Sequence, residues 1–409
     1  MKKIGILREE KQPVDNRAPL TPDDCKIIIE KYNYKIYVQH SQERCFTDAE
    51  YKAAGAEIQE NLFECDIIIG VKEVPIHYLI PGKRYMFFSH THKKQAHNLK
   101  LIQSFIDLKI EMIDYECLTN SEGERLVAFG YWAGIVGAFN CLWMITKNNS
   151  KKDIGRIYKD GYPNVKRMLS NIDIKNAKIV VTGTGRVASG VVEILNKANI
   201  REVSPIDFLE NDHTKPVFTQ LSTKEIYTPR MPTQEYNREE FYEKPQLYRS
   251  IFEPYIHKAN VLINAMFWDH KAPKLFTMKE MKKNEFNLEY IADITCDIAP
   301  ESSVPSTVRP TTIENPVFGY LPLREKVIEP FMRNAIDIMA IPNLPSELPR
   351  EASIDFSSKL TEYVIPVLFD KENEMIKGAT ITKNGKLTEP FLYLESFVYE
   401  DEFRAAHIK

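Results

Sequence analysis

Cationic and acidic side chains recur in this chain just after short apolar runs. Lys72 and Glu73 follow Ile67-Ile-Ile-Gly-Val71, and His90, His92 and Lys93 follow Tyr85–Ser89. Glu116 follows Ile113-Asp-Tyr115, Arg125 precedes Val127-Ala-Phe129-Gly130, and Arg17 lies in Asn16-Arg-Ala-Pro-Leu-Thr-Pro22. Arginine forks grip carboxylates through paired N–H donors. A lysine beside a histidine can move protons when burial and neighbouring cations lower the lysine pKa. Each residue taken singly is an ordinary solvated loop charge. Together, at the ends of successive strands, they point to a site for an anionic substrate, because open parallel sheets bind ligands beyond their carboxyl ends.

A second constellation is Lys178-Ile-Val-Val-Thr-Gly183-Thr-Gly185-Arg-Val-Ala188-Ser-Gly190, which reads as strand, G-x-G-x-x-A and helix. Gly183 permits the tight turn, Gly185 lets backbone approach a pyrophosphate, and Ala188 keeps the helix close to the sheet. The helix N-terminus then offers free N–H groups to phosphate. The pattern predicts a dinucleotide site; the plain alternative is a glycine turn in another α/β protein. An acid for the adenosine ribose is expected ~20 residues after the first glycine, near Val203-Ser204. Glu202 and Asp207 flank that point without occupying it. Ser204, with Arg201 nearby, tolerates a 2′-phosphate, so the cofactor is NAD or NADP with NADP favoured. Ala265, Met266 and Thr295 are expected beside the cofactor at further strand ends. Asp297, in Asp293-Ile-Thr-Cys-Asp297, either orients a substrate amine near the nicotinamide or is a simple turn aspartate.

The elements that must carry these groups are legible as alternating strands and helices. Ile4–Leu7, Lys35–Gln39, Asp66–Val71, Tyr85–Ser89 and Ile110–Tyr115 read as strands, with a helix opened by Thr21 and Pro22 and another near Lys94–Leu108. Such alternation implies a mainly parallel sheet. Ala133–Ile145 is apolar on nearly all sides and predicts a buried helix joining two domains; the polar Lys147–Lys152 stretch after it is expected to be exposed. A second unit begins near Lys175 with the strand Ala177–Thr182 and a helix over Val191–Ala198. The polar, Tyr-rich segment from Asn211 to Tyr248 reads as an insertion with little core of its own. Asn260–Ala265 and Tyr290–Ile294 return as strands, and Arg324–Asp337 and Glu351–Leu368 read as helices packing back onto the first domain. The expected architecture is α/β: two Rossmann-like domains with parallel sheets and a cleft between them. The catalytic domain is discontinuous over 1–135 and 325–409, and the dinucleotide-binding domain spans 136–324.

Composition agrees with a globular enzyme. The chain has 409 residues, 43% hydrophobic and 27% charged, with a net charge of −3. That balance argues against a nucleic-acid or membrane-surface partner. No apolar run approaches the ~18 residues of a membrane span, and Ile4–Leu7 is too short for a signal-peptide core. Cys25, Cys45, Cys65, Cys117, Cys141 and Cys296 are scattered without zinc-like spacing, which suggests reduced thiols, no metal site and a cytoplasmic location.

The motifs also resemble a known family. Arg17-Ala-Pro-Leu-Thr-Pro22, Val71-Lys-Glu73, Phe88-Ser-His-Thr-His-Lys-Lys-Gln95, Asp114-Tyr-Glu116 and Arg125-Leu-Val-Ala-Phe-Gly130 look like the catalytic motifs of lysine-forming saccharopine dehydrogenases. They look still more like the lysine–ketoglutarate reductase half of bifunctional aminoadipic semialdehyde synthase. Asn343-Leu-Pro-Ser-Glu-Leu-Pro-Arg-Glu-Ala-Ser353 is similar to a signature near that family's C-terminus, and Leu262-Ile-Asn-Ala-Met-Phe-Trp268 is similar to a stretch of the reductase half. Alanine dehydrogenase and the transhydrogenase dinucleotide subunit share the architecture and the Arg17, Lys72 and Asp297 positions, without a close match to the C-terminal signature.

The resemblance implies that lysine condenses with 2-oxoglutarate to an imine, which hydride from a reduced nicotinamide converts to saccharopine, or the reverse. Lys72 and His90 would be the acid–base pair. Arg17 and Arg125 would bind substrate carboxylates, assisted by Lys93, Gln95 and Phe129, while Glu73 and Glu116 would tune the cations. Gly183, Gly185, Arg186, Val187 and Ala188 would contact the cofactor, with Ser204 and Asp207 at its adenosine end. His92 and Lys94 make the loop more basic than the family pattern, and Ser204 stands where an acid is expected. The glutamate-forming half of the bifunctional enzyme has no counterpart in this sequence, so the expected product is saccharopine. Two other functions stay open: an alanine dehydrogenase-like enzyme acting on a small 2-oxo acid and ammonia, and a non-catalytic dinucleotide-binding regulator. The expected partners are amino-acid and 2-oxo-acid substrates, in a monomer or a homodimer.

Overall fold

The computed structural model describes residues 1–12, 15–149, 153–170, 172–174 and 177–399. The chain forms two compact units, Met1–Phe129 with Pro349–Lys409, and Gly130–Leu348. Each holds one eight-stranded sheet.

In the first unit the strand order is Lys386–Leu387, Thr380–Lys383, Glu111–Asp114, Arg84–Phe87, Ile67–Ile69, Lys3–Ile6, Lys35–Val38, Glu57–Ile58. The last six run parallel. The two strands from the C-terminal part of the chain add an antiparallel edge. Ile67, Ile68 and Ile69 are wholly buried, as a β-branched run in the middle of a parallel sheet must be. The helix Pro22–Tyr32 starts as its sequence requires: the Thr21 hydroxyl accepts from the Asp24 N–H, and Asn33 closes it in the left-handed region. The C-terminal segment is fastened by two buried hydroxyls. Ser353 accepts from the Ala18 N–H and Ser357 from the Thr21 N–H, each at 2.9 Å.

The second unit has the order Lys326–Ile328, Phe318–Leu321, Ile336–Met339, Tyr290–Asp293, Val261–Asn264, Lys178–Thr182, Val217–Leu221, Arg201–Glu202. All pairs are parallel except those made by Phe318–Leu321. The buried helix extends over Gly130–Asn149 and packs closely on the helix Arg186–Lys197.

Five expectations need correction or restriction. Arg324–Asp337 is not a helix: it supplies the strand Lys326–Ile328 and the start of Ile336–Met339, both in the second sheet. The return to the first unit therefore falls at Pro349 rather than 325. The apolar runs there are too short for periodicity to separate edge strand from helix. The segment 211–248 is not coreless. It contributes Val217–Leu221 to the main sheet, and Tyr227 stacks on Phe241 at 4.7 Å with Tyr248 edge-on. Its polar composition concealed large aromatic side chains that bury together. Residues 150–152, the end of the stretch expected to be exposed, and Lys175, the expected start of the second unit, lie outside the described residues.

The crossing of Gly130–Asn149 and Arg186–Lys197 leaves no room for side chains. A Cβ on Gly134 would lie 1.9 Å from the Val187 carbonyl oxygen, and one on Gly190 would lie 2.2 Å from that of Tyr131. Backbone cannot yield as a flexible side chain does, so Gly190→Ala is expected to cost about 3 kcal/mol in urea unfolding. A Cβ on Gly185 meets nothing within 4 Å, so Gly185→Ala should unfold within about 0.5 kcal/mol of the parent.

Candidate active site

Four adjacent parallel strands of the first sheet end on one edge, and each is followed by a charged segment. In order across the sheet these are Asp114–Glu116, His90–Lys93, Lys72–Glu73 and Arg8–Glu10. The first two are knitted together by Asp114, whose side chain is wholly buried. Its Oδ2 accepts from the Ser89 N–H at 2.9 Å, the Ser89 hydroxyl at 2.6 Å and the His90 N–H at 3.1 Å; its Oδ1 accepts from the Glu116 N–H at 2.8 Å. These bonds hold His90 in a left-handed conformation (φ 55°) and aim Glu116 back across the strand ends.

Glu116 is the centre of the charge cluster. His90 Nδ1 lies 3.0 Å from its Oε2, Lys93 Nζ 2.8 Å from the same oxygen, and Arg125 Nη1 3.2 Å from Oε1. His92 Nε2 is 3.5 Å from Oε2. Burial pushes the Glu116 carboxyl up, but His90, Lys93 and Arg125 prevail and hold it well below the ordinary carboxylate range. Phe88 forms a floor, with the His90 ring near-parallel to it and Arg125 over its face at 5.4 Å. One nitrogen of His92 and oxygens of Asp114 and Glu116 lie within 4.8 Å of one another. Lys93 and Arg125 already supply the positive charge there, so the donor set does not fit a divalent cation.

Lys72 sits in a second group. Glu9 accepts from the Val71 and Lys72 N–H groups at 2.6 and 2.9 Å and so fixes the turn that carries the lysine. Arg17 is buried, paired through Nε and Nη2 with Asp15, and lies 4.1 Å from the centre of the Phe129 ring. Phe129 in turn stacks on Phe356 at 4.4 Å. Burial lowers the Lys72 pKa, with Arg17 adding to the effect against Asp15 and Glu73. Among the described residues its ammonium has no ion-pair partner. Burial and the Asp15 charge push Glu9 up to about 7.

Other expected residues point elsewhere. Glu73 pairs with Lys11 at 2.7 Å, and Gln95 is exposed with its side chain bonded to Asn98. Glu9, Asp15 and Asp114 were not singled out from the sequence. The signal for Glu9 was its place directly after the first strand, masked by the charged run around it.

In the second unit Gly183 turns at φ 92°, where a Cβ would lie 2.8 Å from the Met266 Cα. Gly185 immediately precedes the helix Arg186–Lys197, and the space before it is open; Ala188 is buried. This cradle, which a Cβ would partly fill, fits a pyrophosphate. A buried polar rail supports it. The Thr182 hydroxyl donates to Asn264, which donates to Asp293 at 2.9 Å; Asp293 also accepts from the Thr295 and Thr307 hydroxyls. The same Thr182 hydroxyl accepts from the Ala265 N–H, so Ala265 and Met266 are held beside Gly183. Asp297 is half-buried beyond that strand.

The strand beside the glycine strand is Val217–Leu221, and Arg201–Glu202 lies one position further out. Ser204 caps the short helix Pro205–Glu210, and Asp207 bonds to Asn211. The strand end next to Gly183 is therefore followed by Ser222, Thr223 and Lys224, a placement that counting along the chain could not find.

Over 98% of its length the chain shares the fold of a solved L-alanine dehydrogenase, covering 99% of that chain, with a TM-score of 0.64 at 14% identity. Residues 5–136 match the family described as alanine dehydrogenase/PNT, N-terminal domain. In sequence the chain is similar to alpha-aminoadipic semialdehyde synthases and lysine-forming saccharopine dehydrogenases. It is 29% identical to the mouse mitochondrial alpha-aminoadipic semialdehyde synthase, over 96% of this chain and 47% of that protein. It is 25% identical to the saccharopine dehydrogenase [NAD(+), L-lysine-forming] of Emericella nidulans, over 90% of this chain and 93% of that protein. The chain thus spans about half the length of the first of these relatives. No helix among the described residues is long and apolar enough to cross a membrane.

The Asp15–Arg17 pair has a pH signature. Burial opposes the Asp15 charge, yet Arg17 and Lys72 bring its pKa to about 2 from an ordinary 3.8. A depressed carboxyl stabilises the fold above its unfolded pKa and loses that contribution as pH falls through the folded one. Asp15→Asn is expected to lower the unfolding free energy by about 2 kcal/mol at pH 7. In urea melts the gap should close as the pH approaches 2.

Proposed function

We propose that this protein is a nicotinamide-dependent oxidoreductase that interconverts saccharopine with lysine and 2-oxoglutarate. The observation that carries the reading is the Glu116 cluster, in which one carboxylate is shared by His90, Lys93 and Arg125. On the neighbouring strand end stands a lysine whose pKa is lowered. The homologues named for these reactions support it.

The chemistry asks for cations that hold carboxylates and for two groups that pass protons at an amine carbon. Arg17 and Arg125, each placed against an aromatic ring, supply planar donors for carboxylates. Burial and Arg17 favour the neutral amine of Lys72, which takes a proton from the attacking substrate amine. His90, oriented by Glu116, gives a proton to the departing water as the carbinolamine becomes the imine. Lys93 adds positive charge beside the substrate carboxylates. A bound reduced nicotinamide would supply the hydride for reduction of the imine. Gly183, Gly185 and the N–H groups of Arg186 and Val187 would hold its pyrophosphate, with Thr295 and Asp297 just beyond the strand Tyr290–Asp293 of the same unit. NADP is the proposed form, because Ser222, Thr223 and Lys224 follow the strand end beside Gly183 and the nearby Glu225 carboxylate is tied back to Ser222. A cytosolic setting and small amino-acid and 2-oxo-acid partners belong to the same proposal.

Loss of reduced-nicotinamide absorbance tests it. Turnover is expected only with lysine and 2-oxoglutarate together, and faster with NADPH than with NADH. Turnover with pyruvate and ammonia alone would replace the proposal with an alanine dehydrogenase-like reaction, and silence with dinucleotide still bound would leave a regulator. Lys72→Met and His90→Gln are each expected to reduce kcat by about 10²–10⁴-fold while dinucleotide affinity, followed by fluorescence titration, stays at the parent level. Gly185→Ala should do the opposite, weakening dinucleotide binding at least about tenfold by putting a methyl group where backbone must approach phosphate.

A further inference from the structure

The first sheet has a second charged end. Opposite the candidate site, where its parallel strands begin, a cavity of about 460 Å³ opens between those strand starts and the segment Phe369–Asn384. Seven Lys or Arg side chains line it against three carboxylates, Glu64, Asp66 and Glu111. That excess stands out in a chain whose net charge is −3. Several of the cations are not neutralised. Among the described residues Lys2, Lys109 and Lys371 have no carboxylate in ion-pair reach; Lys2 lies over the Phe369 ring at 4.9 Å. Lys83 donates to the Cys65 carbonyl oxygen. The acids present are partly committed, since Glu111 faces both Arg84 and Lys383, and Glu64 pairs with Lys3.

We propose that this cavity binds a small multivalent anion of the phosphate type. Like charges gathered in a concave site with low-dielectric walls focus the potential on an oppositely charged ligand. Lysines are mobile point charges that suit phosphate, whereas carboxylate recognition favours the planar fork of arginine. The single arginine here, Arg84, is already spent on the Leu368 carbonyl oxygen and Glu111. The concavity admits a small molecule rather than a polymer. The site shares no residue with the Glu116 cluster or the glycine cradle, so it stands or falls independently of the function proposed above.

Calorimetric titration of the full chain with inorganic tripolyphosphate, under saturating dinucleotide so that the glycine cradle is filled, provides the test. Binding is expected, weakening as ionic strength rises. The double variant Lys109→Glu with Lys371→Glu should weaken it at least about tenfold while keeping the parent's melting temperature and dinucleotide affinity. Lys→Gln at the same positions should give an intermediate loss. No heat with tripolyphosphate, or binding unchanged in the double variant, would overturn the proposal. Equal affinity for citrate would overturn the phosphate assignment.

Discussion

Asp114 carries no exposed surface, and its four accepted hydrogen bonds tie together two strand ends that the sheet alone would leave independent. A buried carboxylate is tolerated only when such donors satisfy it. Here the requirement does structural service: the same bonds that stabilise the charge set the backbone of His90 and the starting point of Glu116. The contacts of Glu116 with Lys93, Arg125 and His90 follow from that placement. Removing the order at Asp114 would leave the charges on the same edge but without a common geometry.

The second unit applies the same device with neutral partners. Thr182, Asn264 and Asp293 end three adjacent strands and bond to one another in sequence, which holds Ala265 and Met266 against Gly183. Glycine is required at 183 because its φ is positive and because a side chain there would strike that backbone. Gly134 and Gly190 serve a different purpose, letting two helices touch backbone to backbone. Gly183, Gly185 and Gly190 thus answer to three separate constraints, and only the open space before Gly185 concerns a ligand.

Charge is distributed by sheet polarity. The carboxyl edge of the first sheet mixes acids and bases: Glu116 forms a closed network with its cations, whereas beside it Lys72 has no ion-pair partner among the described residues and burial pushes Glu9 up. The amino edge is rich in lysine with few acids to answer it. Parallel strands produce this separation naturally, since every strand start lies on one edge and every strand end on the other.

Local sequence was enough to establish the α/β class, the strands bearing Lys72, His90 and Glu116, the capped helix after Thr21, the glycine turn and the buried helix around Ala133–Ile145. Each rests on periodicity, capping or turn chemistry, which act over a few residues. Tertiary structure decided the rest. Glu9, Asp15 and Asp114 became site-building residues only when folding buried them against distant donors. The aromatic core inside 211–248, and the strand order that sets Val217–Leu221 beside the glycine strand, depend on partners far away in the chain. Residues 324–337 went to the second sheet because pairing of Lys326–Ile328 with Phe318–Leu321, and of the Ile336–Met339 strand with Phe318–Leu321 and Tyr290–Asp293, outweighs any local helical preference. Spacing along a chain reports local conformation; which strand lies next to which, and hence which side chains share a site, is settled by long-range pairing and burial.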